Sequence, residues 1–219
     1  MEAIIFREPI EVSNRLAECG TSRDFLLAVL DAMVTAKSEC TNNDPSGSRG
    51  WRAWQMGTRR NREIHVGVGD WEKDDTEQVP SIVSKNLRIR IVICNTDDGT
   101  CVGSSEPQNS SRKGASTDRA VDANQMWMFD EPTGNVVSLN RVLTSAGPVV
   151  TYYLCAYIEG EDIRAELSCP KDFENGFFTG FAERIFIVGG DTPLDGESIR
   201  PLQDGDSEYE IPVTLKKPQ

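Results

Sequence analysis

Residues 49–62 combine two side-chain types that suit the recognition of anions, and no acidic residue lies among them. The basic and aromatic members are Arg49, Trp51, Arg52, Trp54, Arg59, Arg60 and Arg62. Guanidinium groups form paired hydrogen bonds with phosphate or carboxylate, and indole rings stack on bases or on guanidinium planes. The segment therefore predicts a surface that binds an anionic partner. In a chain of formal net charge -12, the alternative is that these arginines pair with the chain's own carboxylates.

A second cationic stretch, residues 110–117, has the composition of an anion-binding loop. Serine, threonine and glycine surround Arg112 and Lys113 there. The order of residues differs from G-x-x-x-x-G-K-[ST], so this stretch is not a P-loop. We expect Arg112 and Lys113 to extend the anion-binding surface of residues 49–62.

Several carboxylates lie in turns that the sequence predicts or on the strands that flank them. They are Asp97, Asp98, Glu159, Glu161 and Glu166. Carboxylate oxygens hold divalent metals, and a bound metal can activate water for phosphodiester hydrolysis while Arg112 and Lys113 steady the phosphate. Acidic residues also simply favour turns. Convergence of three of these carboxylates in one concave pocket would favour a hydrolase, and their dispersal would favour a binding protein.

The cysteines and the single histidine do not form a pattern typical of a metal site. The cysteines are Cys19, Cys40, Cys94, Cys101, Cys155 and Cys169, with no C-x-x-C pair among them. Zinc sites usually show tighter pairing of ligands along the chain. We therefore expect free, buried thiols, a structural His65, and no bound metal or other cofactor except a divalent metal under the hydrolase alternative.

Helical periodicity is concentrated near the N-terminus. Pro9 can open a first helix that ends at Gly20, and apolar residues at helical spacing predict a second helix that ends near Glu39. Residues 9–40 are therefore expected to form a helical segment. Residues 102–123 are polar and rich in serine, glycine and asparagine, which predicts a long loop.

Strand patterns dominate the rest of the chain. They lie at residues 63–68, 86–94, 135–142, 149–158, 163–168, 184–188 and 208–215. The strict alternation of residues 163–168 predicts that Ile163, Ala165 and Leu167 face the core, whereas Arg164, Glu166 and Ser168 face water. Strands that follow one helical segment predict an α+β fold. We expect one domain over residues 1–219, with N-terminal helices packed on a mainly antiparallel sheet of about six or seven strands.

Composition narrows the function classes. No run of 18 apolar residues is present, so no membrane association is expected, and the start of the chain does not have the pattern of a secretory signal. These features predict a cytoplasmic protein. The sequence favours a non-catalytic subunit or adaptor of a larger intracellular assembly. Its anionic partner would be a protein or a nucleic acid, bound through the Arg/Trp segment. The alternative is a metal-dependent, nuclease-like phosphodiesterase.

Overall fold

The computed structural model describes residues 2–129 and 148–193, with the side chains of residues 126–129 left out of the description. The strands predicted at residues 135–142 and 208–215 lie outside the described residues.

Four α-helices occur in the described residues. They are α1 (Pro9–Glu18), α2 (Arg23–Ser38), α3 (Ser48–His65) and α4 (Ala115–Phe129), with a short 3₁₀ helix at Thr76–Gln78. Pro9 stands in the first turn of α1, where its missing N–H is not needed. The Ser22 hydroxyl accepts a hydrogen bond from the backbone N–H of Phe25 at 3.2 Å and so caps α2. The two helices predicted within residues 9–40 are therefore present.

The described strands form one sheet of seven strands. They are β1 (Ile4–Phe6), β2 (Trp71–Asp74), β3 (Ser81–Ser84), β4 (Ile89–Asn95), β5 (Val150–Glu159), β6 (Asp162–Glu174) and β7 (Phe177–Val188). Their order across the sheet is β1-β7-β6-β5-β4-β3-β2. The β1–β7 and β4–β5 pairs are parallel, and the other neighbouring pairs are antiparallel.

The α+β class is confirmed, but the sheet is mixed rather than mainly antiparallel. The connection from β4 to β5 contains α4, and such a crossover makes the two strands parallel. Helices also cover both faces of the sheet. Residues of α1, α2 and α3 share a core with one face, whereas Val121 of α4 packs with Val92, Tyr153 and Phe178 on the other.

Three local expectations were wrong. The residues at 63–65 end α3 rather than forming a strand, because six alternating residues are too few to separate a strand from the end of a helix. Residues 115–123, predicted as part of the loop at 102–123, instead begin α4, because the many polar residues of this helix obscure its helical pattern. Glu166 and Ser168 were predicted to face water, yet both are fully buried.

Glu166 is buried because β7 supplies its counter-charge. The Arg184 guanidinium donates to Glu166 Oε1 and Oε2 at 2.8 and 2.7 Å, and the two side chains are 1% and 0% exposed. The preceding residue, Glu183, projects to the opposite face of β7, as alternation along a strand requires. There it accepts two hydrogen bonds from Arg15 of α1, at 2.8 and 2.7 Å. Two adjacent residues of one strand thus hold elements on both sides of the sheet.

The Arg184–Glu166 pair also fixes the loop that follows β4, residues 96–114. Arg184 donates to the carbonyl oxygens of Gly99, Val102 and Ser105 at 3.1, 3.0 and 2.6 Å. Glu166 Oε2 accepts from the backbone N–H of Cys101 at 2.6 Å. Because a buried ion pair satisfies these backbone groups, the loop is held against the sheet rather than by its own few apolar residues.

All six cysteines are buried and have free thiols. Over residues 2–129 and 148–193, no helix is long and apolar enough to cross a membrane.

Replacing Arg184 with methionine should strongly destabilise the protein. The substitution leaves the Glu166 carboxylate buried without a counter-charge, which costs about 3–5 kcal/mol. Arg59→Met is the matched control, because Arg59 lies on α3 and forms an exposed ion pair with Glu63, so its loss should cost less than about 1 kcal/mol. Urea unfolding measures both free energies. Equal losses for the two variants would show that the buried pair stabilises the fold no more than an exposed one.

Candidate functional site at the carboxyl ends of β4 and β5

A cleft of about 600 Å³ opens where the parallel strands β4 and β5 end. Helices α2 and α3 form one wall, and loop 96–114 forms the other. The residues that line it are Lys37, Gly47, Gly50, Trp51, Ala53, Trp54, Asn95, Thr96, Asp97, Ser110, Ser111, Lys113, Ala156, Tyr157, Ile158 and Glu159. In α/β sheets, ligands commonly bind in the crevice beyond the carboxyl ends of parallel strands. We call this feature the β4–β5 cleft.

The start of α3 is positioned by a glycine and by the end of β4. Gly47 adopts a left-handed conformation, with φ of 86°, immediately before the helix. The Asn95 side-chain amide then donates to the carbonyl oxygen of Gly50 at 2.7 Å. Trp54 packs against the core and is a fixed part of the wall, whereas Trp51 is 57% exposed at the rim.

The opposite wall is tied to both strands by backbone hydrogen bonds. The Thr96 N–H donates to the Ala156 carbonyl oxygen, and the Ser110 N–H donates to the Asn95 carbonyl oxygen, both at 2.9 Å. At the end of the loop, the Lys113 N–H donates to the Gly176 carbonyl oxygen at 2.9 Å. Loop 96–114 therefore places Ser110, Ser111 and Lys113 over the ends of the strands.

Of the two lysines that line the cleft, Lys37 has a carboxylate partner and Lys113 has none among the described residues. Lys37 contacts the Ile158 carbonyl oxygen and the Glu159 carboxylate, the latter at 3.3 Å. Asp97 Oδ1 accepts from the backbone N–H groups of Gly99 and Gln108 at 3.2 and 2.9 Å. Among the described residues, Lys113 forms no ion pair.

The neighbour of the Lys113 ammonium group is the Cys94 thiol. Burial raises the pKa of Cys94 above its ordinary value, and the contact with Lys113 acts in the opposite direction without reversing the shift. The thiol is therefore neutral near pH 7, because a raised pKa keeps the proton on sulfur. A neutral thiol does not offset the positive charge of Lys113, whose side chain is half-buried.

Most arginines of residues 49–62 have partners within the chain. The ion pairs are Arg52–Glu39 at 2.7 Å, Arg59–Glu63 at 2.7 Å, Arg60–Glu63 at 3.7 Å and Arg62–Asp75 at 2.6 Å. Arg49 donates to the Cys40 carbonyl oxygen at 3.5 Å. Only Trp51 and Trp54 of the predicted binding residues in this segment line the cleft. Four arginines of α3 thus pair with the chain's own carboxylates, which is the alternative that the net charge of the chain suggested.

Arg112 and Lys113 separate, although they are neighbours in sequence. The Arg112 guanidinium donates to the Asn175 carbonyl oxygen at 2.7 Å and lies against Gly176, outside the cleft. Lys113 lines the cleft itself.

The carboxylates of the hydrolase alternative are not brought together. Asp97 and Glu159 line the cleft, Glu166 is buried against Arg184, and Asp98 and Glu161 are exposed outside the lining. Within the described ranges, no group of three or more histidine, cysteine, aspartate or glutamate residues is placed to hold a metal ion.

His65 has a structural environment at the end of α3. Its Nδ1 lies 2.9 Å from the Asn61 carbonyl oxygen, which can only accept, so the proton lies on Nδ1. Nε2 then accepts from the Thr21 hydroxyl at 2.8 Å. The ring packs edge-on against Phe25 and Trp71. Burial lowers the pKa of His65, and the hydrogen bond to Asn61 opposes this effect.

Four cleft residues were not predicted from the sequence: Lys37, Asn95, Thr96 and Tyr157. Ser110 and Ser111 belong to the predicted anion-binding loop at residues 110–117, although only Arg112 and Lys113 were expected to bind there. The sequence signal for Asn95 and Thr96 was the polar run directly after the apolar strand β4. Only its carboxylates, Asp97 and Asp98, were predicted to be site residues. Lys37 and Tyr157 gave no such signal, because their roles depend on the pairing of β5 with β4 and on the packing of α2.

Comparison of the chain with protein-family models, with curated proteins and with solved structures found no match.

The lowered pKa of His65 predicts a specific pH dependence of stability. Below about pH 6.5 the unfolded chain binds a proton that the folded chain does not, so the free energy of unfolding should fall by up to about 1.4 kcal/mol per pH unit. His65→Gln keeps a side chain that donates and accepts hydrogen bonds but does not titrate. Urea unfolding between pH 7.5 and 5.5 should give a steeper slope for the natural chain than for His65→Gln. Parallel slopes would show that the pKa of His65 is the same in the folded and unfolded chains.

Proposed function

We propose that this chain is a non-catalytic binding protein, a subunit or adaptor that holds an anionic group of its partner in the β4–β5 cleft. The observation that carries the proposal is Lys113, which lines the cleft and has no carboxylate partner among the described residues. A lysine without a carboxylate partner can form charge-assisted hydrogen bonds with a phosphate or carboxylate. An anion that enters the cleft would supply that partner.

The proposed site in the β4–β5 cleft differs from the surface predicted at residues 49–62. The surface expected at residues 49–62 is reduced to its first two turns, where Trp51 and Trp54 border the cleft. The guanidinium groups of Arg59, Arg60 and Arg62 already have carboxylate partners further along α3. Lys113, which comes from loop 96–114, supplies the cation that these arginines were expected to supply.

The same geometry supports binding more than catalysis. Metal-assisted hydrolysis needs several oxygen ligands around one point. Of the proposed ligands, Glu166 has a structural role with Arg184, and Asp97 caps the turn that its own loop makes. The remaining cleft carboxylate, Glu159, pairs with Lys37. This dispersal is the arrangement expected of a binding protein.

The cytoplasm is the compartment that suits the proposal. Six buried free thiols are typical of a reducing environment. The partner of this protein would be a molecule or assembly that presents a phosphate or carboxylate to the cleft.

Lys113→Met should reduce the affinity for small and extended anions alike. Suitable probes are pyrophosphate, a short oligothymidylate and a glutamate-rich peptide, measured by calorimetry at low salt. Hydrogen bonds to charged groups contribute about 1.5–3 kcal/mol, so the expected loss is roughly tenfold or more for every probe that binds the natural chain.

Arg119→Met is the matched control for that experiment. It removes the same charge and introduces the same side chain, but Arg119 lies outside the cleft and pairs with Glu77. Its effect on affinity should be less than about twofold. Equal losses in both variants would indicate general attraction to the surface, and absence of binding by the natural chain would contradict the proposed function.

A further inference from the structure

The β4–β5 cleft has the size of a small-molecule site. Its volume of about 600 Å³ falls within the range of about 300–1,000 Å³ that is typical of ligand pockets. A folded protein or a nucleic-acid duplex is too wide to enter, so only a protruding group or a free small molecule can reach Lys113. The size of the cleft therefore limits which phosphate- or carboxylate-bearing partners can bind Lys113.

The ring available for stacking at the rim is Trp51. Trp54 is packed against the core, and the ring of Tyr157 is covered by the Arg164 guanidinium, 5.3 Å from the ring centroid. The Trp51 indole, by contrast, is 57% exposed and borders the cleft. An exposed indole beside a cavity provides a face on which a flat heterocycle can stack.

The lining of the cleft also contains polar side chains. Asn95, Asp97, Ser110 and Ser111 present amide, carboxylate and hydroxyl groups at the ends of the strands and on loop 96–114. Such groups can bond the hydroxyls of a sugar or the polar edge of a base. The cleft lining therefore includes a flat aromatic ring, several polar side chains and a cation.

We infer that the β4–β5 cleft binds a nucleoside phosphate, with the base on Trp51, the sugar beside the polar lining and the phosphate on Lys113. The inference rests on the proposed function, since it names the anion that the cleft would hold. A peptide carboxylate would use Lys113 but would leave the Trp51 face without a stacking partner. An extended polyanion would also meet the repulsion of a chain with net charge -12, whereas a nucleoside monophosphate brings only about two negative charges to Lys113.

Titration of the natural chain with matched ligands tests this inference. The ligands are the four ribonucleoside 5′-monophosphates, their nucleosides, ribose 5-phosphate, inorganic phosphate and a glutamate-rich peptide, with calorimetry as the readout. At least one nucleotide should bind tenfold or more tightly than both ribose 5-phosphate and its own nucleoside, because only the nucleotide contacts both ends of the cleft.

Two substitutions separate the two ends. Trp51→Ala should weaken nucleotide binding by between about fivefold and a hundredfold, the range expected for one stacked base, and should leave ribose 5-phosphate affinity unchanged. Lys113→Met should reduce nucleotide affinity to that of the nucleoside. Ile10→Ala is the control, because it removes another exposed apolar side chain outside the cleft and should change neither affinity.

The outcomes distinguish this inference from the proposed function. If every nucleotide binds no more tightly than ribose 5-phosphate, and Lys113→Met abolishes both, the anion site stands and the nucleotide inference is wrong. Tighter binding of the glutamate-rich peptide than of any nucleotide overturns it in the same way. If no phosphate or carboxylate ligand binds the natural chain, the proposed function is wrong as well.

Discussion

The buried ion pair between Arg184 and Glu166 is the interaction on which loop 96–114 depends. Neither side chain can lose its partner cheaply, because an isolated charge in the interior costs several kcal/mol. Both side chains also bond the backbone of the loop, at Gly99 and Cys101 among other residues. The ion pair between β6 and β7 thereby positions loop 96–114, which has few apolar residues of its own to hold it.

The β4–β5 cleft exists because loop 96–114 is held in this position. One wall is α3, which the Asn95 amide ties to the end of β4. The other wall is loop 96–114, whose position depends on the ion pair and on backbone bonds to the strand ends. Each wall is therefore fixed relative to the same sheet, and Lys113 and Trp51 face a common space without any need for the two walls to contact each other. A site held in this way is organised before a ligand enters, which reduces the entropy lost on binding.

The sequence predicted the parts of this structure that depend on local patterns. The apolar spacing of α2 and the β-branched run of β4 and β5 identify those elements because burial of one face or both dictates their composition. The role of Glu166 could not be predicted in this way. A glutamate at an alternating position signals solvent exposure unless a cation such as Arg184, 18 positions away in sequence, is known to lie opposite it. The cleft depends likewise on which strands become neighbours, and the parallel pairing of β4 with β5 leaves no local signal.

The distribution of charge explains how an acidic chain can offer a site for an anion. Exposed pairs such as Arg59–Glu63 and Arg52–Glu39 neutralise each other and leave the surface potential negative. That potential is screened over about 8 Å at physiological ionic strength. A phosphate about 4 Å from Lys113 would gain about 4 kcal/mol at an effective dielectric constant of about 20, before desolvation. Within the cleft, Glu159 pairs with Lys37 and Asp97 accepts two backbone N–H groups, so a compact anion beside Lys113 experiences the lysine more strongly than the carboxylates outside the cleft. A long polyanion laid across the surface would bring its charges within the screening length of many of those outer carboxylates.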